Sequence, residues 1–154
     1  MDSLLKPSNR ELVITRDLAA PREQVFAAWT DPARASVWWA PAAFTLLTFE
    51  MDARPGGKWL RSMKSASGAV YVKHGVYREV VRPEKISFTY NTEDEAGVVD
   101  PETVVTVTLE ELDGGRTRLT LRHTGFDTVP LRDDHGNGWS GAMDRLRAFC
   151  AIPN

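Results

Sequence analysis

From Phe44 to Thr124 the chain alternates between extended, strand-like runs of about six to ten residues and short turn signals. The runs are Phe44–Met51, Lys58–Lys64, Val70–Val81, Lys85–Tyr90, Thr103–Glu110 and Thr117–His123. The breaks between them carry Pro55-Gly56-Gly57, Ser67-Gly68, Arg82-Pro83-Glu84 and Asp113-Gly114-Gly115. A parallel pair of strands needs a crossover of a dozen or more residues, usually helical, so these short connections predict an antiparallel meander. The longest break, 91–102, is acidic and contains Gly97 and Pro101, and reads as an exposed loop.

Elements on either side complete the pattern. Glu11 to Leu18 places Leu12, Ile14 and Leu18 on one side of a further strand. Pro21 suits the first position of a helix carrying Val25, Phe26 and Trp29. Asp31-Pro32 repeats that start signal for a short second helix to about Trp38. Near the C-terminus, Trp139, Met143, Leu146 and Cys150 follow helical spacing, which predicts a helix over about 133–149. Seven strands then need one face covered, and this last helix is the largest apolar cover on offer. The expected architecture is α+β: a curved seven-stranded antiparallel sheet wrapped around a long C-terminal helix, with two short helices after the first strand. Residues 1–9 read as a flexible arm and 10–154 as one domain.

Composition narrows the function classes. With 42% hydrophobic and 26% charged residues, the chain belongs with ordinary globular domains rather than disordered ones. A net charge of −2 offers no electrostatic footprint for nucleic acid, and no apolar run is long enough to insert into a membrane. The single cysteine, Cys150, excludes an internal disulfide and fits a cytoplasmic location.

Several literal motifs fail on context. Gly136-Asn137-Gly138-Trp139-Ser140-Gly141 spells G-x-G-x-x-G, but no strand precedes it and no acidic residue follows at the ribose-binding distance. Ser140 has no later histidine to form a triad. His74, His123 and His135 lack metal-ligand spacing, and Asp133-Asp134-His135 reads as the acidic start of the last helix. No metal and no cofactor is therefore expected. Cys150, on the apolar stripe at a helix C-terminus, reads as inert core.

More informative are the polar residues at inward positions. His123 shares a face with Leu119 and Leu121, His74 with Val70, Val72 and Val76, Arg61 with Trp59 and Met63, and Tyr90 with Ile86 and Phe88. Each alone is ordinarily a satisfied core residue. Together under one helix they are what a mostly apolar pocket with a few polar groups requires.

The chain also resembles a known family. The segments that carry the likeness are 20–32 (APREQVFAAWTDP), Trp38-Trp39, 52–59 (DARPGGKW), 75–80 (GVYREV) and Gly138-Trp139. They resemble the START-like (SRPBCC) superfamily and, within it, the family named for the activator of the Hsp90 ATPase. The resemblance implies a helix-grip fold, and lipids, polyketides or other aromatic metabolites as ligand classes. The function expected is binding of a small hydrophobic or amphipathic molecule between the sheet and the last helix. Trp59, Met63, Phe88, Trp139 and Met143 would form its apolar walls, and Arg61, His74, Tyr90 and His123 its polar contacts. An uncharged or weakly anionic ligand is expected, entering between the 91–102 loop and the start of the last helix. Two alternatives stay open: a chaperone-regulating interaction module, and a hydrolase- or cyclase-type cavity enzyme using His74 or His123, for which no complete catalytic set is visible. A homodimer also stays open.

Overall fold

The computed structural model describes residues 10–39, 44–93 and 102–151. The 1–9 arm and most of the 91–102 loop, and with it one side of the expected entrance, lie outside these residues. In chain order the elements are β1 (Leu12–Leu18), α1 (Arg22–Thr30), α2 (Pro32–Trp38), β2 (Thr45–Met51), β3 (Lys58–Lys64) and β4 (Val70–Val81). They continue with β5 (Lys85–Glu93), β6 (Thr103–Leu112), β7 (Arg116–Thr124) and α3 (Val129–Cys150). The sheet order is β1-β7-β6-β5-β4-β3-β2, so β2 to β7 form the meander and β1 adds to its far edge. All pairs are antiparallel. This is the α+β helix-grip fold.

Helix starts follow their capping chemistry. Asp31 caps α2, its carboxylate accepting from the Ala33 N–H at 3.1 Å ahead of Pro32. Pro21 sits at the cap of α1 rather than inside it, so the helix starts one residue later than expected. The start of α3 is a larger correction. Thr128 is its cap, accepting from the Leu131 N–H at 3.2 Å, and Pro130 lies in the first turn. The helix therefore begins four residues before Asp133, and Asp133, Asp134 and His135 belong to its body.

The β4–β5 pairing shifts register between Tyr77 and Glu79, and just before that shift it leaves out Gly75 and Val76. There the Val76 N–H donates to the Thr89 hydroxyl at 2.8 Å, and the Trp59 indole N–H donates to the Thr89 carbonyl at 3.0 Å. A Cβ on Gly75 would lie 1.8 Å from that carbonyl oxygen, so only glycine lets the two strands approach.

The stripe Trp139, Met143, Leu146 and Cys150 is buried against the sheet, as its spacing predicted. It does not cover the sheet alone. Val25, Phe26 and Trp29 of α1 and Ala35 and Trp38 of α2 belong to the same buried cluster. All five tryptophans join in ring contact: Trp29–Trp38 (4.7 Å between centroids), Trp38–Trp39 (5.6 Å), Trp39–Trp59 (5.3 Å) and Trp29–Trp139 (6.0 Å). These rings fill one end of the space between sheet and α3. The other end is not filled.

Candidate functional site

At that other end lies a cavity of about 320 Å³. The sheet supplies its floor through inward positions on neighbouring strands. Arg61 and Met63 come from β3, Tyr71 and Lys73 from β4, and Tyr90 and Thr92 from β5. Cross-strand register aligns them, with Arg61 opposite Lys73 and Met63 opposite Tyr71. The roof is one face of α3, formed by Leu131, His135, Gly138, Trp139 and Ala142, with exposed Asp134 at the edge. Trp39 and Phe44 close one side.

Arg61 is buried, with 4% of its surface exposed. Its Nη1 donates to the Trp39 carbonyl at 3.2 Å and its Nη2 to the Tyr90 hydroxyl at 3.0 Å, and the guanidinium carbon lies 5.4 Å from the Trp39 ring centre. The Trp39 carbonyl belongs to the end of α2, where orphan carbonyls and the helix dipole favour a cation. Arg145 of α3 binds the same end, its Nε donating to the Trp38 carbonyl at 2.8 Å. Lys73 donates to the Thr92 hydroxyl at 3.3 Å and stands 5.6 Å from the Tyr90 ring centre. Burial opposes ionisation of the Tyr90 phenol, but Lys73 and Arg61 outweigh it and hold its pKa below the ordinary phenol value.

Behind this floor runs a closed polar chain. The Trp139 indole N–H donates to His123 Nδ1 at 3.0 Å, which assigns the imidazole proton to Nε2. Nε2 donates to the Thr103 hydroxyl at 2.7 Å, and Thr103 donates to the Tyr90 carbonyl at 2.6 Å. His123 is 0% exposed. Burial first, then the charges of His135 and Lys73, push its pKa well below the usual histidine value. Its ring is neutral and both nitrogens are used by protein atoms.

This sheet and helix have counterparts in known proteins. The sequence profile of the Activator of Hsp90 ATPase homolog 1-like protein family matches residues 19–151. The chain belongs to this family. Among solved structures, protein CV1439 of Chromobacterium violaceum is 28% identical, with a TM-score of 0.83 over 94% of this chain and 99% of that one. Protein Ms6760 of Mycobacterium smegmatis is 26% identical, with a TM-score of 0.80 over 97% and 95% of the two chains. The AHSA1 protein SPO3351 of Silicibacter pomeroyi is 26% identical, with a TM-score of 0.80 over 90% and 95%. No curated protein matches the chain. Among the described residues, no helix is long and apolar enough to cross a membrane.

Of the side chains singled out in this family member's sequence, Arg61, Met63, Tyr90 and Trp139 meet at the cavity. Trp59, Phe88 and Met143 are buried behind its wall, where they pack the core and do not line the space. His123 lies in the same layer, so its expected contact with a ligand gives way to a structural role. His74 is misplaced altogether. It pairs with Leu60 on the outer face of the sheet, while Tyr71, Lys73, Gly75 and Tyr77 take the inner face of β4. Neither histidine proposed as a general acid or base is therefore positioned to act in the cavity. Trp39, Tyr71, Lys73 and His135 were not foreseen there. The strand alternation that placed Arg61 opposite Lys73 was the available signal for two of them.

Proposed function

We propose that this protein binds one small amphipathic molecule in the cavity between the sheet and α3. A pocket suited to a small ligand has mostly apolar walls and a few convergent polar groups that fix orientation. Trp39, Met63, Trp139 and Ala142 supply the walls, and Arg61, Tyr90 and Lys73 converge at one end. The observation that carries the reading is the placement of Arg61: a buried cation at the margin of an otherwise apolar space, held by two neutral acceptors. A cation buried only for stability is ordinarily paired with a carboxylate.

The test is uptake of a hydrophobic fluorescent probe by the wild-type protein and by Ala142→Leu. Ala142 lines the cavity, so added side-chain volume there competes with a ligand. Wild-type uptake and its loss in a folded Ala142→Leu protein support the reading. Equal uptake by both places the probe elsewhere and contradicts it. The family's name points to chaperone regulation, but the exposed large apolar side chains here fall on separate elements: Val13 on β1, Val37 on α2, Leu47 on β2, Val76 and Val81 on β4, Val129 on α3. The buried, lone thiol suits a reducing cytoplasm as the site of this binding.

A further inference from the structure

Arg61 presents five N–H donors, and the structure accounts for two of them. Its Nε is buried and has no acceptor. Among the described residues Arg61 and Lys73 form no ion pair, and each ion pair that does form has at least one exposed partner. Tyr90 uses its hydroxyl oxygen to accept from Arg61, and its own O–H proton has no acceptor among the described residues. The one carboxylate among the described lining residues, Asp134, is exposed at the rim. Arg145 adds a third positive charge close enough to Arg61 that, after burial, it is the next cause lowering the Arg145 pKa.

Three donor sets with spare capacity thus converge beside an apolar, aromatic space: the free N–H groups of Arg61, the remaining N–H groups of the Lys73 ammonium, which has no charged partner among the described residues, and the phenol of Tyr90. An unpaired buried donor is costly, and a planar guanidinium fork matches a carboxylate in a two-point contact. We propose, resting on the cavity-binding reading above, that the ligand is a compact aromatic carboxylic acid bound as its anion. Its carboxylate takes the free donors of Arg61, Lys73 and Tyr90, and its ring packs against the aromatic wall formed by Trp39 and Trp139. Those two rings stand 6.1 Å apart at their centres and tilt by 35°. The cavity volume of about 320 Å³ suits a one- or two-ring acid better than a long acyl chain.

The test compares naphthylacetate with naphthylacetamide, two probes of one shape that differ in charge, by titration calorimetry on the full-length protein. The acid is expected to bind about tenfold tighter than the amide, the gain typical of charge-assisted over neutral hydrogen bonds. That preference should shrink in Arg61→Gln and in Lys73→Gln. The second variant changes a half-buried residue and keeps the test decisive should the first fail to fold. Amide and acid binding equally overturns the carboxylate assignment and leaves the cavity reading standing. A preference for the acid that survives Lys73→Gln and Arg61→Gln undiminished also overturns it. Binding of neither probe overturns both.

Discussion

His123 makes the stability of this protein depend on pH in a window where few other groups titrate. In the folded state its imidazole is neutral, fully buried and bonded at both nitrogens, to Trp139 at 3.0 Å and to Thr103 at 2.7 Å. Protonation would place a charge in the core and force Nδ1, an acceptor from Trp139, to become a donor. Its folded pKa accordingly lies well below 6.5, with burial the largest cause. In the unfolded chain the same histidine takes up a proton near the ordinary value of about 6.5. Below that pH the unfolded state binds more protons than the folded one, so stability is full above it and falls as pH falls toward the folded pKa. While the pH stays above the folded pKa, each unit below about 6.5 costs about 1.4 kcal/mol from this residue. For a chain of this length each such unit corresponds to a Tm lower by about 3–6 °C. The assay is urea unfolding followed by tryptophan fluorescence at a series of pH values, for wild type and His123→Phe. The variant loses the acceptor for the Trp139 N–H and should be less stable at pH 7.5 by about 1–3 kcal/mol. Its stability should nonetheless change less between pH 7.5 and 5 than that of the wild type. Parallel pH profiles for the two proteins would refute the assignment of a neutral, depressed His123.

Other consequences are simpler to measure. Gly75→Ala should lower stability by about 3 kcal/mol, because its Cβ would sit 1.8 Å from the Thr89 carbonyl oxygen and displace the Trp59 indole from it; chemical denaturation measures this, and a loss below 1 kcal/mol would show that the close approach relaxes freely. Cys150 is buried and burial pushes its thiol pKa up to about 11, so a thiol reagent at pH 8 should label it only as fast as the chain opens. Labelling at the rate of a free thiol would contradict its place in the core.

Much of the fold was legible because each strand obeys the period-two rule and each turn carries its glycine or proline. The faces of β3, β5 and β7 followed directly: Arg61 with Trp59 and Met63, Tyr90 with Phe88, His123 with Leu121. The same rule misled at β4. Its valines, Val70, Val72 and Val76, mark the more apolar face, yet the inward face carries Tyr71, Lys73 and Gly75. Alternation identifies the core face only where the sheet meets packed core. Over a cavity, polar residues point inward, and His74 went with the valines to the outside. The N-terminal turn of α3 was hidden for a different reason. Thr128-Val129-Pro130 reads equally as a loop and as a cap, and only the Thr128 side chain accepting the Leu131 N–H separates the two. That earlier start moves His135 from a helix terminus to the cavity roof. The core role of His123 depends on three bonds joining α3, β5, β6 and β7, a tertiary fact that no local pattern encodes.

The central claim, a small molecule held under α3, is tested most directly by native mass spectrometry of protein purified from its own host. The expected result is a folded species heavier than the chain by one small molecule, a mass that disappears on denaturation and is absent from Ala142→Leu prepared in the same way. A wild-type protein that carries no added mass and takes up neither the fluorescent probe nor naphthylacetate would contradict it.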